Sequence, residues 1–124
     1  MNLLLDTHLL LWALLQPSKL KPRARALIEQ NEIFVSSASI WEISIKSSLG
    51  KLEADPRIVL EALEPAGLRK LSISGEHAAK VFELPPHHRD PFDRLLLAQA
   101  LSEPLTLLTD DDVLGQYGGY VTVV

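Results

Sequence analysis

Apolar residues fall into two alternating kinds of run along this chain. Short, nearly continuous ones at 2–6 (NLLLD), 33–36 (IFVS), 70–73, 105–109 and 120–124 have the length of buried strands. The longer stretches between them space their apolar residues at helical intervals. From Thr7 to Leu15, Leu, Trp and Ala occupy more than one face, which predicts a largely buried helix directly after the first strand. Past Gln16, Pro17 and Ser18, the segment from Lys21 to Gln30 sets Ala24, Leu27 and Ile28 among Lys and Arg and predicts a surface helix. Ser36, Ser37 and Ser39 offer N-caps for a helix reaching about Leu49, where Gly50 stops it. Further helices are predicted over 56–64, over 74–84 with Ser74 as cap, and from Pro91 to about Ser102 with Asp90 as cap and proline at the first helical position.

The connections between strand candidates are far longer than hairpin loops, so neighbouring strands are joined by crossovers and pair in parallel. The expectation is an α/β chain in which residues 1–124 form one domain, a three-layer α/β/α sandwich around a five-stranded parallel sheet. No repeat, low-complexity tract or Gly/Ser linker interrupts it. In such sheets ligands bind beyond the carboxyl ends of the strands, and that edge is where chemistry is to be sought.

At that edge the pattern places four acids. Asp6 ends the first strand, Glu42 lies within two turns of the start of the helix after the second, and Asp111 follows the fourth strand almost at once. Asp93 precedes its nearest strand, but the helix from Pro91 runs down the sheet into Leu105, so its first turn sits at the same upper edge. Leu84 to Asp90, with two prolines to keep it extended, reaches about 20 Å at roughly 3.3 Å per residue, enough to climb back. Carboxylates crowded there repel one another unless a cation compensates.

Composition narrows the cation. The 124 residues include no cysteine, which excludes a disulfide framework, a thiolate metal site and a cysteine nucleophile, and fits a reducing compartment. An all-carboxylate site suits magnesium, with manganese as a second fit. The net charge of −4 argues against a nucleic-acid binder unless bound ions neutralise some of the sixteen acidic residues. Lys19, Lys21, Arg23 and Arg25 form the one local basic cluster, and two paired subunits could line a shared groove with it. The longest nearly apolar run, Leu9 to Leu15, is far short of the roughly 20 residues needed to cross a bilayer, and the residues after Met1 show no leader pattern; a cytoplasmic protein is expected.

Each residue also has a plainer role open to it. Asp6 could cap the following helix, and Glu42 could pair with Lys46 at i,i+4, a contact worth about 0.3–0.5 kcal/mol on an exposed helix. Asp90 is a better cap than Asp93, and Asp110, Asp111 and Asp112 compete for one site position, with turn or cap duties for the others. Arg89 and Arg94 could meet phosphate, a partner carboxylate or only solvent. His8, His87 and His88 lack the HExxH or CxxC framework that would specify zinc. Trp12 and Trp41 read as core or dimer contacts rather than stacking platforms.

Three stretches, LLLDTHLLLWAL, SSASIWEISIKSSLGKL, and PPHHRDPFDRLLLAQALSE followed by LTLLTDDDVLGQYG, together resemble the PIN-domain family, specifically the bacterial VapC-type toxins, over nearly the whole chain. The resemblance implies a magnesium- or manganese-dependent endoribonuclease that hydrolyses RNA with a metal-activated water. The family's metal-binding and catalytic acids fall on Asp6, Glu42, Asp93 and Asp111, the last chosen by the pattern Thr, any residue, Asp. Thr7, Lys46, Thr109 and Arg89 are candidate supporting residues. A homodimer, a cognate VapB-type antitoxin and an RNA substrate are the implied partners.

Two other folds, a magnesium-binding phosphatase and a binding-class signalling domain, fit less well. A haloacid-dehalogenase-like phosphatase needs a second Asp two residues after the first, where this chain has His8, and a receiver-like signalling domain needs an acceptor Asp where the third strand ends in Ser72, Ile73 and Ser74. The remaining alternative is a catalytically silent PIN-like module that binds RNA or protein.

Overall fold

The computed structural model describes residues 1–124. Five strands, β1 (Asn2–Leu5), β2 (Glu32–Ser36), β3 (Arg69–Leu71), β4 (Thr106–Thr109) and β5 (Val121–Val123), form one sheet in the order β3-β2-β1-β4-β5, every pair parallel. The chain builds outward from β1 through β2 to β3, then returns to the other side of β1 for β4 and β5. The strand order therefore reverses beside β1, which creates a crevice at the carboxyl ends of β1 and β4.

Because side chains alternate across a strand, β1 feeds both layers. Leu3 and Leu5, with Ile33, Val35 and Leu108, face helices α1 (Thr7–Leu15), α2 (Pro22–Gln30) and α4 (Pro56–Leu63) through Leu9, Leu10, Ala24, Val59 and Leu63. Leu4 and Leu107 face the opposite layer, where α6 (Pro91–Ser102) contributes Leu96, Leu97 and Ala100. Helix α3 (Ser37–Ser48) contributes to both clusters, giving Ile43 to the first and Ala38 to the second. No helix is long and apolar enough to cross a membrane.

The expected helix over 74–84 is shorter than the pattern predicts. Helix α5 covers Gly75–Lys80 and gives way to a 3₁₀ turn at Val81–Glu83. The carbonyls of Val81 and Leu84 accept from the Arg94 guanidinium instead of continuing a helix, at 3.2 and 3.4 Å. The segment from Leu84 to Asp90 is not extended throughout either, because a turn at Pro86 and His87 bends it over the same arginine. Two other 3₁₀ turns, at Pro17–Lys19 and Asp112–Tyr117, lie where no element is predicted.

Leu4 is fully buried on the central strand, whereas Leu49 is 62% exposed. Leu4→Ala should cost about 2–5 kcal/mol in urea unfolding and Leu49→Ala no more than about 0.5 kcal/mol; equal effects would contradict the assigned core.

Candidate functional site

Asp6 directly follows β1 and caps α1, its Oδ1 accepting from the Leu9 N–H at 2.8 Å. Its other oxygen, Oδ2, accepts from the Thr109 hydroxyl at the end of β4. The capping role and the cleft role are thus held by one residue, which is only 4% exposed. Burial pushes its carboxyl up from 3.8 to about 6, against the lowering effect of the Thr109 and Leu9 bonds; the Asp110 charge adds a smaller upward push.

Ser36 starts α3 by accepting from the Ala38 N–H at 2.9 Å, and the helical repeat then brings Ser39, Glu42 and Lys46 to one face. Glu42 is 5% exposed, so its pairing with Lys46 Nζ at 2.6 Å is not the exposed i,i+4 contact of a solvated helix. Its Oε1 accepts from the Thr7 hydroxyl at 2.7 Å, and Ser39 Oγ lies 3.0 Å from that hydroxyl. The bond to Glu42, with the charges of Glu42, Asp90 and Asp93 behind it, raises the Lys46 pKa against the opposing effect of burial.

Asp90 caps α6 by accepting from the Asp93 N–H at 2.9 Å, which leaves the Asp93 carboxylate free to face the cleft from the first helical turn. Burial, then the charges of Asp90 and Glu42, push Asp93 from 3.8 to about 7; His88 pulls the other way and Asp6 adds a further push. Asp111 caps the 3₁₀ turn after β4, with Oδ1 accepting from the Val113 N–H at 2.9 Å and Oδ2 lying 3.2 Å from His88 Nε2. Asp111 lines the cleft, whereas Asp110 and Asp112 do not.

These side chains meet in a cleft of about 100 Å³ lined by Asp6, Thr7, His8, Glu42, Lys46, Asp90, Asp93 and Asp111, with no hydrophobic residue among them. The four predicted acids arrive from four separate elements. Among the predicted supporting residues, Thr7 and Lys46 line the cleft, Thr109 holds Asp6 from behind, and Arg89 is exposed outside it. His88, which the sequence offers only as a histidine without a zinc framework, lies beside two of the acids. Its Nε2 lies 3.3 Å from Asp93 Oδ2 and 3.2 Å from Asp111 Oδ2, and one atom from each of the three lies within 4.8 Å of the others. Its place immediately before the Arg89-Asp90-Pro91 helix start is the available signal.

Several of the other basic residues bond to main-chain carbonyls. Arg94 is a clasp on the carbonyls of residues 81, 84, 85 and 88. In the basic cluster, Lys21 and Arg23 donate to the carbonyls of Val124 and Val123, and Arg25 to that of Pro17. Trp12 packs against the first core layer, and Trp41 is largely exposed with an edge-on contact to Phe92 at 5.1 Å.

The raised Asp93 pKa gives a pH signature. The folded chain binds a proton there that the unfolded chain releases near 3.8, so this stabilising contribution is complete below that value and is lost as pH rises to about 7. In chelator, the melting temperature of Asp93→Asn relative to wild type should rise between about pH 4 and 7 and then level off. A difference independent of pH would contradict the assigned electrostatics.

Comparison with known proteins gives an independent reading. A search of curated proteins finds no match. Solved structures with the same architecture include VapBC2 from Rickettsia felis bound to a DNA fragment from its promoter, at 19% identity and TM-score 0.72 over 100% of this chain and 98% of that one. DNA-bound VapBC from Salmonella typhimurium aligns at 18% identity and TM-score 0.68, over 100% and 97% of the two chains. VapC20 from Mycobacterium tuberculosis, a sarcin-ricin loop cleaving toxin, aligns at 14% identity and TM-score 0.62, over 96% and 98%. At such identities the likeness carries the fold. The family model described as PIN domain matches residues 3–120, nearly the full length, and the chain therefore belongs to the PIN domain family.

Proposed function

We propose that this protein is a metal-dependent endoribonuclease, the toxin of a VapBC-type toxin–antitoxin pair acting in the cytoplasm, with Asp6, Glu42, Asp93 and Asp111 as its catalytic and metal-holding residues. The observation that carries the reading is the convergence of these carboxylates from four elements in one cleft free of hydrophobic lining. The donor set fits a hard divalent ion such as magnesium or manganese: the acids offer oxygen alone, and the chain has no thiol. When bound, such an ion supplies a water of lowered pKa and positive charge for the phosphodiester oxygens.

The chain's own groups do the rest. Asp6 Oδ1 and Oδ2, Glu42 Oε1 and Oε2, and Asp111 Oδ1 each accept one protein hydrogen bond, which fixes the carboxylate plane and leaves a second lone pair on each oxygen. Lys46 offsets part of the negative charge at the cleft wall. Thr7, His8, Glu42 and Lys46 also line a neighbouring, larger cavity of about 240 Å³, where Lys51 joins Leu11, Ile43 and Leu52. A cationic wall beside an apolar floor suits the phosphate and base of an RNA strand running past the acids. The likeness in fold to VapBC complexes supports a VapB-type antitoxin as protein partner, and a homodimer is part of the same reading.

The purified protein, freed of any bound antitoxin, should cleave RNA with magnesium or manganese and stop with chelator. Asp6→Asn and Asp93→Asn should each lower the rate by at least about 100-fold, equivalent to ~2.7 kcal/mol of transition-state stabilisation. Cleavage that survives chelator and both substitutions would exclude the mechanism. Wild-type protein that binds RNA but never cleaves it would instead favour a silent PIN-like binding module.

A further inference from the structure

His88 is held at every polar atom. Its N–H donates to the Tyr117 hydroxyl at 3.0 Å, and its carbonyl accepts from Arg94 Nη1 at 3.3 Å. Its ring Nδ1 accepts from the Asp90 N–H at 3.0 Å, and its Nε2 faces the Oδ2 atoms of both Asp93 and Asp111. Tyr117 also donates to the Pro85 carbonyl at 2.7 Å, so the 3₁₀ turn that Asp111 caps carries at its far end the phenol that fixes His88. Anchors so numerous on one residue of a surface loop point to a side chain that must be placed accurately.

The Asp90 contact also decides what the ring can offer. A nitrogen that accepts a backbone N–H carries no hydrogen, so the imidazole hydrogen sits on Nε2, where it bonds to Asp111 Oδ2 at 3.2 Å with Asp93 Oδ2 3.3 Å away. For Nε2 to bind a metal it would have to lose that hydrogen to Nδ1, which would set N–H against N–H at Asp90. The ring is therefore built to donate, not to ligate.

We infer that His88 is a positioning residue for the metal site: its Nε2–H, bonded to Asp111 Oδ2 at 3.2 Å with Asp93 Oδ2 at 3.3 Å, holds the Asp111 carboxylate beside that of Asp93, so that the two could take one divalent ion together. The inference rests on the metal reading above for its ligands, but it concerns how they are held. Outer partners of this kind fix the ligand plane, and their loss typically costs about 10–100-fold in metal affinity. The identity of the residue matters through its donor: glutamine can present an N–H from a side chain of similar reach, whereas alanine cannot.

The test is manganese binding to the metal-free protein, followed by the loss of free-ion signal in electron paramagnetic resonance, with RNA cleavage assayed on the same preparations. His88→Ala should weaken manganese binding about 10–100-fold without lowering the melting temperature below the assay range, and His88→Gln should recover most of the loss. Pulsed spectra of the wild-type manganese complex should show no directly coordinated imidazole nitrogen. Unchanged affinity in His88→Ala, no recovery in His88→Gln, a directly coordinated nitrogen, or a wild type that binds no manganese would each overturn the inference. A wild type that binds manganese through a His88-dependent site yet cuts no RNA would overturn only the nuclease reading.

Discussion

Burial of carboxylates gathered at one sheet edge, with their mutual repulsion added to it, is the constraint around which this molecule is arranged. Asp6 and Glu42 are almost wholly buried, and Asp93 is pushed up to about 7 by burial and by its acidic neighbours. The fold tolerates this because donors are supplied to the acids from several directions: the Leu9 N–H and Thr109 hydroxyl for Asp6, Thr7 and Lys46 for Glu42, the Val113 N–H and His88 for Asp111. Every buried side-chain nitrogen and oxygen has a partner. The cost that remains is electrostatic, and a divalent cation bound there would relieve it directly.

The sheet order explains why the acids meet. Placing β1 between β2 and β4 sets Asp6 beside the end of β4, so that Thr109 reaches it and Asp111 follows within two residues. Helix α3 leaves the edge from β2 and keeps Glu42 within hydrogen-bond range of Thr7, while α6 enters from above with Asp93 in its first turn. A single topological feature, the reversal of strand order beside β1, thus converts residues more than a hundred positions apart into one cleft.

Much of this is legible in the sequence because it depends on local periodicity and chain direction. Asp93 could be placed at the upper edge from the sense of the helix that ends near Leu105, and Asp90 as its cap from the proline that follows. Strand order is not legible in the same way: LLL in β1 and TLLT in β4 are apolar on both faces and carry no register information. The segment from Leu84 to Asp90 is misread for a related reason. Its prolines suggest an extended climb, but its path is set by Arg94 and Tyr117, whose effect on it depends on tertiary contacts. The basic cluster around Lys21 is visible in the sequence, whereas the bonds of Lys21 and Arg23 to the carbonyls of Val124 and Val123, about a hundred positions away, are not. His88 is legible only as one of three histidines without a zinc framework, because its two carboxylate neighbours are not known until the chain is folded.

The account stands on the cleft being a divalent-ion site, and anomalous diffraction from crystals soaked in manganese tests that most directly. It predicts a manganese peak among the carboxylate oxygens of Asp6, Glu42, Asp93 and Asp111, within ordinary coordination distance of at least one of them. Manganese bound only elsewhere on the molecule, with this cleft empty at saturating concentration, would contradict it.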